Sequence, residues 1–297
     1  MIMSMDQVET GSFAPREGIS HELRTIQVVS WNIARGCRFD EIVSVLIDAN
    51  ADLILLQEVD KHVRRSADRN IAELLAQRLR LNYTFGIEFQ ELGQGSRTAP
   101  AYHGQATLSR WPLADSRVLR FHEQSTFWEP RWWIPAHPRL QRRLGGRIAL
   151  VSHATIGETR CAVYNLHLES RGGDGLRRLQ LAEVFHDALR YGPELPLIVA
   201  GDFNFDVTEA YSSRLLQERN FQNPLSDLHI ETAHAHWSGR RSVIDWIFTR
   251  GPIVAVSPKI DQSVSASDHY PLSLTIELPA TPKCGMPTFG PLSACGH

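Results

Sequence analysis

The chain has 297 residues, of which 42% are hydrophobic and 22% charged, and a formal net charge of −2; this is the composition of an ordinary globular protein without a global preference for polyanions. It contains no run of about eighteen apolar residues, and residues 1–23 lack the apolar stretch of a secretory signal, so we expect a cytoplasmic protein without a transmembrane segment. Its four cysteines show no C-x-x-C spacing, which argues against a zinc framework and against a disulfide scaffold.

Apolar runs typical of strands alternate along the chain with runs that have the period of helices. The predicted strands are Ile26–Trp31, Leu53–Gln57, Ala106–Ser109, Ile148–Ser152, Cys161–Leu166, Leu197–Ala200, Val243–Phe248 and Leu272–Ile276. Apolar stripes predict helices over 39–47, 71–79 and 181–189. The pattern predicts an α/β protein with mixed sheets and one domain over residues 24–278. We expect loose tails over residues 1–23 and over the Pro- and Gly-rich residues 279–297.

Polar residues follow several of these strands at the point where the strand ends. Asn32 ends the first strand and is able to help hold a metal-bound carboxylate or a phosphate, although an asparagine there is usually a turn residue. Glu58 ends the second strand and is a natural ligand for Mg²⁺. The alternative for Glu58 is an ion pair with Arg64 or Arg65.

Asn165, His167 and Glu169 alternate with apolar residues, so they share one face of a strand end. His167 has the chemistry to donate to a phosphate oxygen, although a lone strand histidine is more often structural.

The tetrapeptide Gly201-Asp202-Phe203-Asn204 follows the apolar run 195–200, so it lies where an open α/β sheet presents side chains to a ligand. Asp202 would project there as a charged acceptor, and Asn204 would add an amide donor.

Asp245 lies within the apolar run 243–248, so it needs a partner or must face water at a sheet edge. Ser267-Asp268-His269 follows, and His269 is the partner that would be oriented by Asp245. Carboxylates, an amide and an imidazole at strand ends are the groups needed for metal-assisted hydrolysis of a phosphate ester.

These motifs occur in a fixed order: Trp31-Asn32, Gln57-Glu58, Asn165-x-His167, Gly201-Asp202-x-Asn204, Asp245 before Trp246-Ile247, and Ser267-Asp268-His269. In this order they resemble the endonuclease/exonuclease/phosphatase superfamily over residues 24–278, and residues 104–112 look like a further strand of that family. The resemblance implies a DNase I-like fold, a four-layer sandwich of two mixed β-sheets flanked by helices, and a Mg²⁺-dependent phosphodiesterase, with Mn²⁺ as an alternative ion.

The resemblance also implies a role for each motif residue. Glu58 would be the principal metal ligand, with Asn32 and Asp268 beside it. Asp202 would align and deprotonate the attacking water. The remaining catalytic candidates would contact or position the phosphate: Asn165, His167, Asn204, Asp245 and His269.

The substrate is predicted less narrowly than the chemistry. Leu168-Glu169-Ser170-Arg171, followed by Arg177 and Gln180, resembles the tyrosyl-DNA phosphodiesterase branch, but Phe203 stands where that branch has threonine. The partial match favours a nuclease or an enzyme that processes DNA ends. The alternative is a sphingomyelinase-like lipid hydrolase or an inositol-phosphate hydrolase on the same core. The candidate substrate-binding residues are Gln105, Arg171, Trp132 and Trp133.

Residues 120–147 interleave arginines with phenylalanines and tryptophans. Such a segment suits single-stranded nucleic acid, on which aromatic rings stack. It also suits a phospholipid surface, or an insertion that packs its own aromatic side chains. The role of His103 stays open between a site residue and a turn residue, and the turn is favoured.

Overall fold

A computed structural model describes residues 4–15, 25–96, 98–125, 133–135, 137, 140–228, 230–234 and 242–278. Four α-helices lie within these residues: α1 (Phe39–Ala49), α2 (Ile71–Leu79), α3 (Asp174–Ala188) and α4 (Ala210–Glu218). The strands of the same part of the chain are β1 (Val8–Ser12), β2 (Thr25–Asn32), β3 (Leu53–Lys61), β4 (Asn82–Glu91), β5 (Ala101–Ser109), β6 (Leu113–Arg120), β7 (Arg143–Gly145), β8 (Ile148–Ile156), β9 (Thr159–His167), β10 (Leu197–Asp202), β11 (Asp245–Arg250), β12 (Val254–Ile260) and β13 (Leu272–Glu277).

The strands form two mixed sheets. The first sheet has eight strands in the order β1-β4-β5-β3-β2-β13-β12, with β7 beside β4, and the second has five in the order β11-β10-β9-β8-β6. β2 and β3 are parallel and are connected through α1, and β9 and β10 are parallel and are connected through α3. A parallel pair needs such a crossover, because its two strands run in the same direction.

Alternation along each strand divides the core into three layers. Val29 and Trp31 of β2 face α1 and α2, whereas Val28 faces the second sheet. On β9, Val163 faces the first sheet, and Tyr164 packs toward α3 with Phe185. Because successive side chains of a strand point to opposite faces, each sheet carries apolar residues on both sides. The predicted four-layer sandwich of two mixed sheets between helices is confirmed.

The expectation of a loose N-terminal tail is wrong for residues 8–12, which form β1 at the edge of the first sheet. β1 pairs antiparallel with β4. The Tyr83 hydroxyl donates to Glu9 at 2.8 Å, and the ring of Phe13 stacks on that of Tyr83 with centroids 6.3 Å apart. The sequence of β1 is too polar to predict a strand. It is a strand because it pairs with β4, a contact that the local pattern does not contain. The predicted tail 279–297 lies outside the described residues.

The predicted helices and strands are present, most with longer bounds than the sequence indicated. α1 buries Phe39, Ile42, Val43 and Leu46, as its apolar stripe predicts. None of the helices in the described ranges combines the length and the apolar character needed to span a bilayer.

Gly201 lies where β10 ends and has φ +149°, a conformation that other residues rarely adopt. A Cβ at this position would lie 1.9 Å from the carbonyl oxygen of Leu166 on the adjacent strand β9. Because that neighbour is backbone, the clash is not relieved by a side-chain rotation. We expect Gly201→Ala to lower the free energy of unfolding by about 3 kcal/mol, measured by thermal or denaturant unfolding.

Gly175 in α3 gives a matched control, since a Cβ there meets nothing within 4 Å. Gly175→Ala should leave the stability unchanged or raise it slightly, because alanine is the better helix former. Equal stability of Gly201→Ala and the wild type would show that the strand end does not require glycine.

Candidate active site

The layer between the two sheets changes from apolar to polar at one end. Inward-facing positions of β2, β3, β9, β10 and β11 continue there into polar side chains: Ser30, Asn32, Gln57, Asn165, His167, Asp202 and Asp245. The strand pairing aligns these ends, because Asn32 is opposite Gln57, and Asp202 is opposite both His167 and Asp245. The structure therefore brings together the strand-end residues that the sequence singled out.

Asp202 is buried at the centre of this polar end. Its Oδ2 accepts a hydrogen bond from the Asn32 amide at 3.1 Å, and its Oδ1 accepts one from the Asn204 backbone at 2.9 Å. The Nε2 atoms of His167 and His269 lie 3.5 and 3.7 Å from Oδ2. Burial raises the pKa of Asp202 well above its usual range, although the charge of His269 opposes the shift. A carboxylate in this state is a stronger proton acceptor than an exposed one.

Asn204 forms the turn after Asp202 with φ +57°, a conformation that asparagine tolerates better than most residues. Its side-chain amide donates to the backbone oxygen of Leu168 at 3.1 Å. One amide hydrogen remains for a ligand, since the group carries two.

Asp245 and His269 form a buried hydrogen-bonded pair. The Nδ1 atom of His269 lies 3.0 and 2.8 Å from the two carboxylate oxygens of Asp245. The backbone oxygen of His269 accepts a hydrogen bond from the Trp31 indole at 2.8 Å, which fixes the loop before β13 to β2. Burial alone would lower the pKa of His269, but the charges of Asp245 and Asp202 outweigh burial and raise it. His269 is therefore an imidazolium at neutral pH, with Nε2 directed to Asp202.

Glu58 lies at a β-bulge, where Gln57 and Glu58 of β3 oppose one residue of β5. Its φ of +53° is left-handed, which costs a non-glycine residue about 1–3 kcal/mol. The side chain is 25% exposed, and its Oε2 lies 3.7 Å from the Arg35 guanidinium. Burial would raise the pKa of Glu58, but the positive charges of His103, Arg35 and Arg147 lower it below its usual value. Glu58 is thus a partly accessible anion.

Ser267 connects the loop before β13 to the end of β2. Its hydroxyl donates to the Asn32 backbone oxygen at 2.6 Å and lies 3.2 Å from Asp268 Oδ1. The half-buried Asp268 is therefore held beside Asn32. The side-chain oxygen of Asn32 accepts from the Ala34 backbone at 3.1 Å, so its amide nitrogen points to Asp202.

His167 is held by two residues that the sequence did not indicate as site residues. Arg147 Nη1 donates to His167 Nδ1 at 2.9 Å and forms an ion pair with Glu88 at 3.1 Å. Since arginine is only a donor, Nδ1 accepts, and the imidazole proton is on Nε2. Burial, and then the charge of Arg147, lowers the pKa of His167 well below its usual value. His167 is therefore a neutral donor directed at the centre of the site.

Asn165 and Gln57 form a buried amide pair between the two sheets. Gln57 Nε2 donates to Asn165 Oδ1 at 2.8 Å. Asn165 Nδ2 donates to the backbone oxygens of Leu56 at 3.1 Å and Ala106 at 2.9 Å. The structure places Asn165 among the other candidates, with its amide bonded to the protein.

The Leu-Glu-Ser segment after β9 is fixed to α3 by two buried side chains. The Gln180 side-chain oxygen accepts from the Glu169 backbone at 2.9 Å, and Arg177 Nε donates to the Glu169 backbone oxygen at 2.6 Å. Ser170 accepts a hydrogen bond from Arg147 at 2.9 Å. Arg171, the predicted substrate contact in this segment, is exposed.

The other predicted substrate contacts are dispersed. Gln105 is buried, and its amide bonds to Glu88 at 3.0 Å and to the Ile148 backbone oxygen at 2.9 Å. Trp133 is 63% exposed in the segment between β6 and β7. Trp132 and most of the aromatic residues of this segment lie outside the described residues.

His103 is a strand residue, so the preference for a turn is wrong. It lies on β5, is buried, and its Nδ1 is 2.7 Å from Asp60 Oδ1. Arg65 donates to both oxygens of Asp60, at 2.8 and 2.7 Å. Asp60 and Arg65 lie about forty residues before His103 in the sequence, so no local pattern indicated that they contact it.

Among the residues that the structure describes, two sets of side chains have the chemistry to hold a metal ion. Asp202, Asp245 and His269 place ligand atoms within 4.8 Å of one another. Both oxygens of Asp245 and the Nδ1 of His269 are, however, already bonded to each other. Few atoms of this set are therefore free to bind a metal ion.

Glu58, Asn32 and Asp268 form the second set, which has only oxygen donors. Within the described part of the chain, the Glu58 carboxylate has an ion pair with Arg35 and accepts no hydrogen bond. An anionic, partly accessible carboxylate with further oxygen donors at the neighbouring strand end fits a hard cation such as Mg²⁺.

The sequence model of the Endonuclease/Exonuclease/phosphatase family matches residues 29–269, the range that contains every residue of this site. No curated protein matches the chain closely enough to count as a relative.

Solved structures share the fold at low sequence identity. An endonuclease/exonuclease/phosphatase from Beutenbergia cavernae superposes with a TM-score of 0.62 at 18% identity, covering 86% of this chain and 72% of that one. TDP2 from C. elegans gives 0.59 at 17% identity, covering 85% and 75%. An endonuclease/exonuclease/phosphatase from Bacteroides vulgatus gives 0.61 at 17% identity, covering 86% and 99%.

Proposed function

The chain belongs to the endonuclease/exonuclease/phosphatase family, and on that premise we propose that it is a Mg²⁺-dependent phosphodiesterase that cleaves nucleic acid. One observation carries the proposal. A buried carboxylate with a raised pKa, Asp202, faces an imidazolium, His269, at the strand ends where Glu58 presents an anionic side chain. A base, a fixed positive charge and a cation ligand are the groups that phosphoryl transfer requires.

Asp202 is the proposed general base. The Asn32 amide and the Asn204 backbone fix its two oxygens, so a water bound at the carboxylate is held in one direction. Burial favours the protonated form of Asp202, which lowers the cost of accepting the proton of that water.

The phosphate charge would be stabilised by donors on both sides of Asp202. His269 supplies an imidazolium whose orientation is fixed by Asp245, and His167 supplies a neutral Nε2–H fixed by Arg147. Asn204 adds one amide hydrogen. Donors that are already oriented lose little energy to reorganisation when charge develops in the transition state.

Glu58, Asn32 and Asp268 would hold the Mg²⁺ ion. When bound, Mg²⁺ neutralises charge on the phosphate and polarises its oxygens. Mn²⁺ is an alternative, since it also binds carboxylate and amide oxygens.

Nucleic acid is the proposed substrate class because of the partial resemblance to tyrosyl-DNA phosphodiesterases and the exposed Arg171. Arg171 is exposed, lies four residues after the end of β9, and follows the segment that Arg177 and Gln180 fix to α3. Guanidinium groups in such positions pair with backbone phosphates and set the register of the strand.

The test is a substrate panel with the purified protein and Mg²⁺. Single-stranded DNA, duplex DNA with an abasic site, a 5′-phosphotyrosyl oligonucleotide and sphingomyelin vesicles are incubated separately. We expect cleavage of at least one nucleic acid, and loss of that cleavage with EDTA. Turnover that persists in EDTA would contradict the metal dependence, and turnover of the vesicles alone would contradict the nucleic-acid substrate.

A phospholipid hydrolase is the second candidate, favoured by the exposed Trp133. Its 63% exposure, together with 62% for Leu140, gives the segment between β6 and β7 two large apolar side chains in contact with solvent. Such side chains are able to enter a lipid interface. Vesicle turnover that falls on replacement of Trp133 would support this candidate.

A further inference from the structure

The β-bulge that presents Glu58 is bonded to the opposite sheet. Leu56 is the last regularly paired residue of β3 before the bulge, and Ala106 is its partner on β5. Both of their backbone oxygens accept hydrogen bonds from one group, Nδ2 of Asn165 on β9. The side chain of the next residue, Gln57, donates to Oδ1 of the same amide.

These bonds use both hydrogens of the Asn165 side-chain amide. Nδ2 carries two hydrogens, and two backbone oxygens lie at 3.1 and 2.9 Å from it. Asn165 is fully buried, as is Gln57. No Nδ2 hydrogen is left for a phosphate, so a direct contact of Asn165 with the substrate would require these bonds to break.

We propose that Asn165 is a positioning residue for the metal site: from the second sheet, it holds the bulge of the first sheet in the shape that presents Glu58. This inference rests on the proposed function, because it takes Glu58 as the metal ligand. The left-handed backbone of Glu58 is unfavourable without support, since a bulge residue that is not glycine relaxes unless its surroundings fix it. The two residues that precede Glu58 are both hydrogen-bonded to Asn165: the Leu56 backbone oxygen accepts from its amide, and the Gln57 side chain donates to it.

Removal of the Asn165 amide should therefore weaken metal binding. We expect Asn165→Ala to raise the Kd for Mn²⁺ by about 10- to 100-fold, the usual effect of losing a group that orients a metal ligand. Electron paramagnetic resonance of free Mn²⁺, titrated against the protein without substrate, measures this Kd independently of activity. Activity assays with increasing Mg²⁺ give a second readout. A positioning role predicts that kcat recovers at high Mg²⁺, whereas a phosphate contact predicts that it stays low.

Asn82 provides the matched control. It is also a buried amide whose Nδ2 donates to two backbone oxygens, those of Ser109 and Arg110 at 3.3 Å each, but it pairs with Ser109 at the end of β5 that is remote from the bulge. Asn82→Ala should lower thermal stability and leave the Mn²⁺ Kd unchanged. If Asn165→Ala does not fold, Gln57→Met removes the bond to Asn165 and keeps a side chain of similar length, and it should raise the Kd as well.

Glu58→Gln separates the inference from the proposed function on which it rests. An unchanged Mn²⁺ Kd in Glu58→Gln would overturn the metal assignment. Weaker binding in Glu58→Gln together with an unchanged Kd in folded Asn165→Ala or Gln57→Met would overturn only the role of Asn165. Weaker binding in all three, but not in Asn82→Ala, supports the inference.

Discussion

Replacement of Asp202 by asparagine is expected to lower kcat by about 10³-fold or more, because the proposed general base is lost and such bases contribute about 10²- to 10⁴-fold. The amide is nearly isosteric with the carboxylate, so the turn through Asn204 is retained. KM should change little, since substrate binding depends on other groups. Steady-state kinetics on the nucleic acid identified in the panel measures both constants, and a fall in kcat with constant KM indicates a loss in the transition state.

Asp206→Asn is the control for this variant. Asp206 is exposed four residues after Asp202, and its carboxylate bonds only to Thr208 among the described residues, at 2.9 and 2.7 Å. The control should keep wild-type kinetics. Undiminished turnover in Asp202→Asn would remove Asp202 from the mechanism.

Breaking the Asp245–His269 pair should have the second-largest effect. We expect Asp245→Asn to lower kcat by about 10²- to 10³-fold, as loss of one preorganised donor does in other enzymes. The reason is that His269 loses both its fixed orientation and the carboxylate, Asp245, whose charge raises its pKa most. A titration of the His269 resonance by nuclear magnetic resonance should show the lowered pKa directly.

A double variant tests whether the two residues act as one unit. Asp245→Asn combined with His269→Ala should be little worse than His269→Ala alone, because Asp245 acts through the imidazole. Asp52→Asn is the control for loss of a buried carboxylate. Asp52 pairs with Arg110 at 2.6 Å, just before β3 begins, and its loss should lower stability but not kcat. Fully multiplicative effects in the double variant would show independent roles.

The positions of Asn32, His167 and Asp202 were predictable because each is the polar last residue of an apolar strand. Asn32, Asp202 and His167 are on the inward face by simple alternation from Val28, Ala200 and Val163. The parallel pairs β2–β3 and β9–β10 then bring these ends to the same edge. Local pattern and sheet geometry were sufficient for this part of the site.

Other parts depend on contacts that a sequence pattern does not contain. The bulge at Glu58 interrupts the alternation of β3, and it is stabilised by Asn165, which lies far along the chain on the other sheet. Glu88 on β4 and Arg147 in the connection between β7 and β8 support His167. Residues 210–218 were not predicted as α4. They carry few apolar residues, and these pack against the second sheet, a contact that the sequence pattern does not contain.

The position of β13 has a consequence for synthesis of the protein on the ribosome. β13 lies between β2 and β12, although β2 is near the beginning of the chain and β13 is the last strand described. One edge of β2 therefore stays unpaired during synthesis until residues 272–277 leave the exit tunnel. An unpaired strand edge is prone to aggregation. Asp268 and His269 arrive with the same segment. Completion of the first sheet and of the proposed site thus occur together, and a partly synthesised chain lacks both Asp268 and His269.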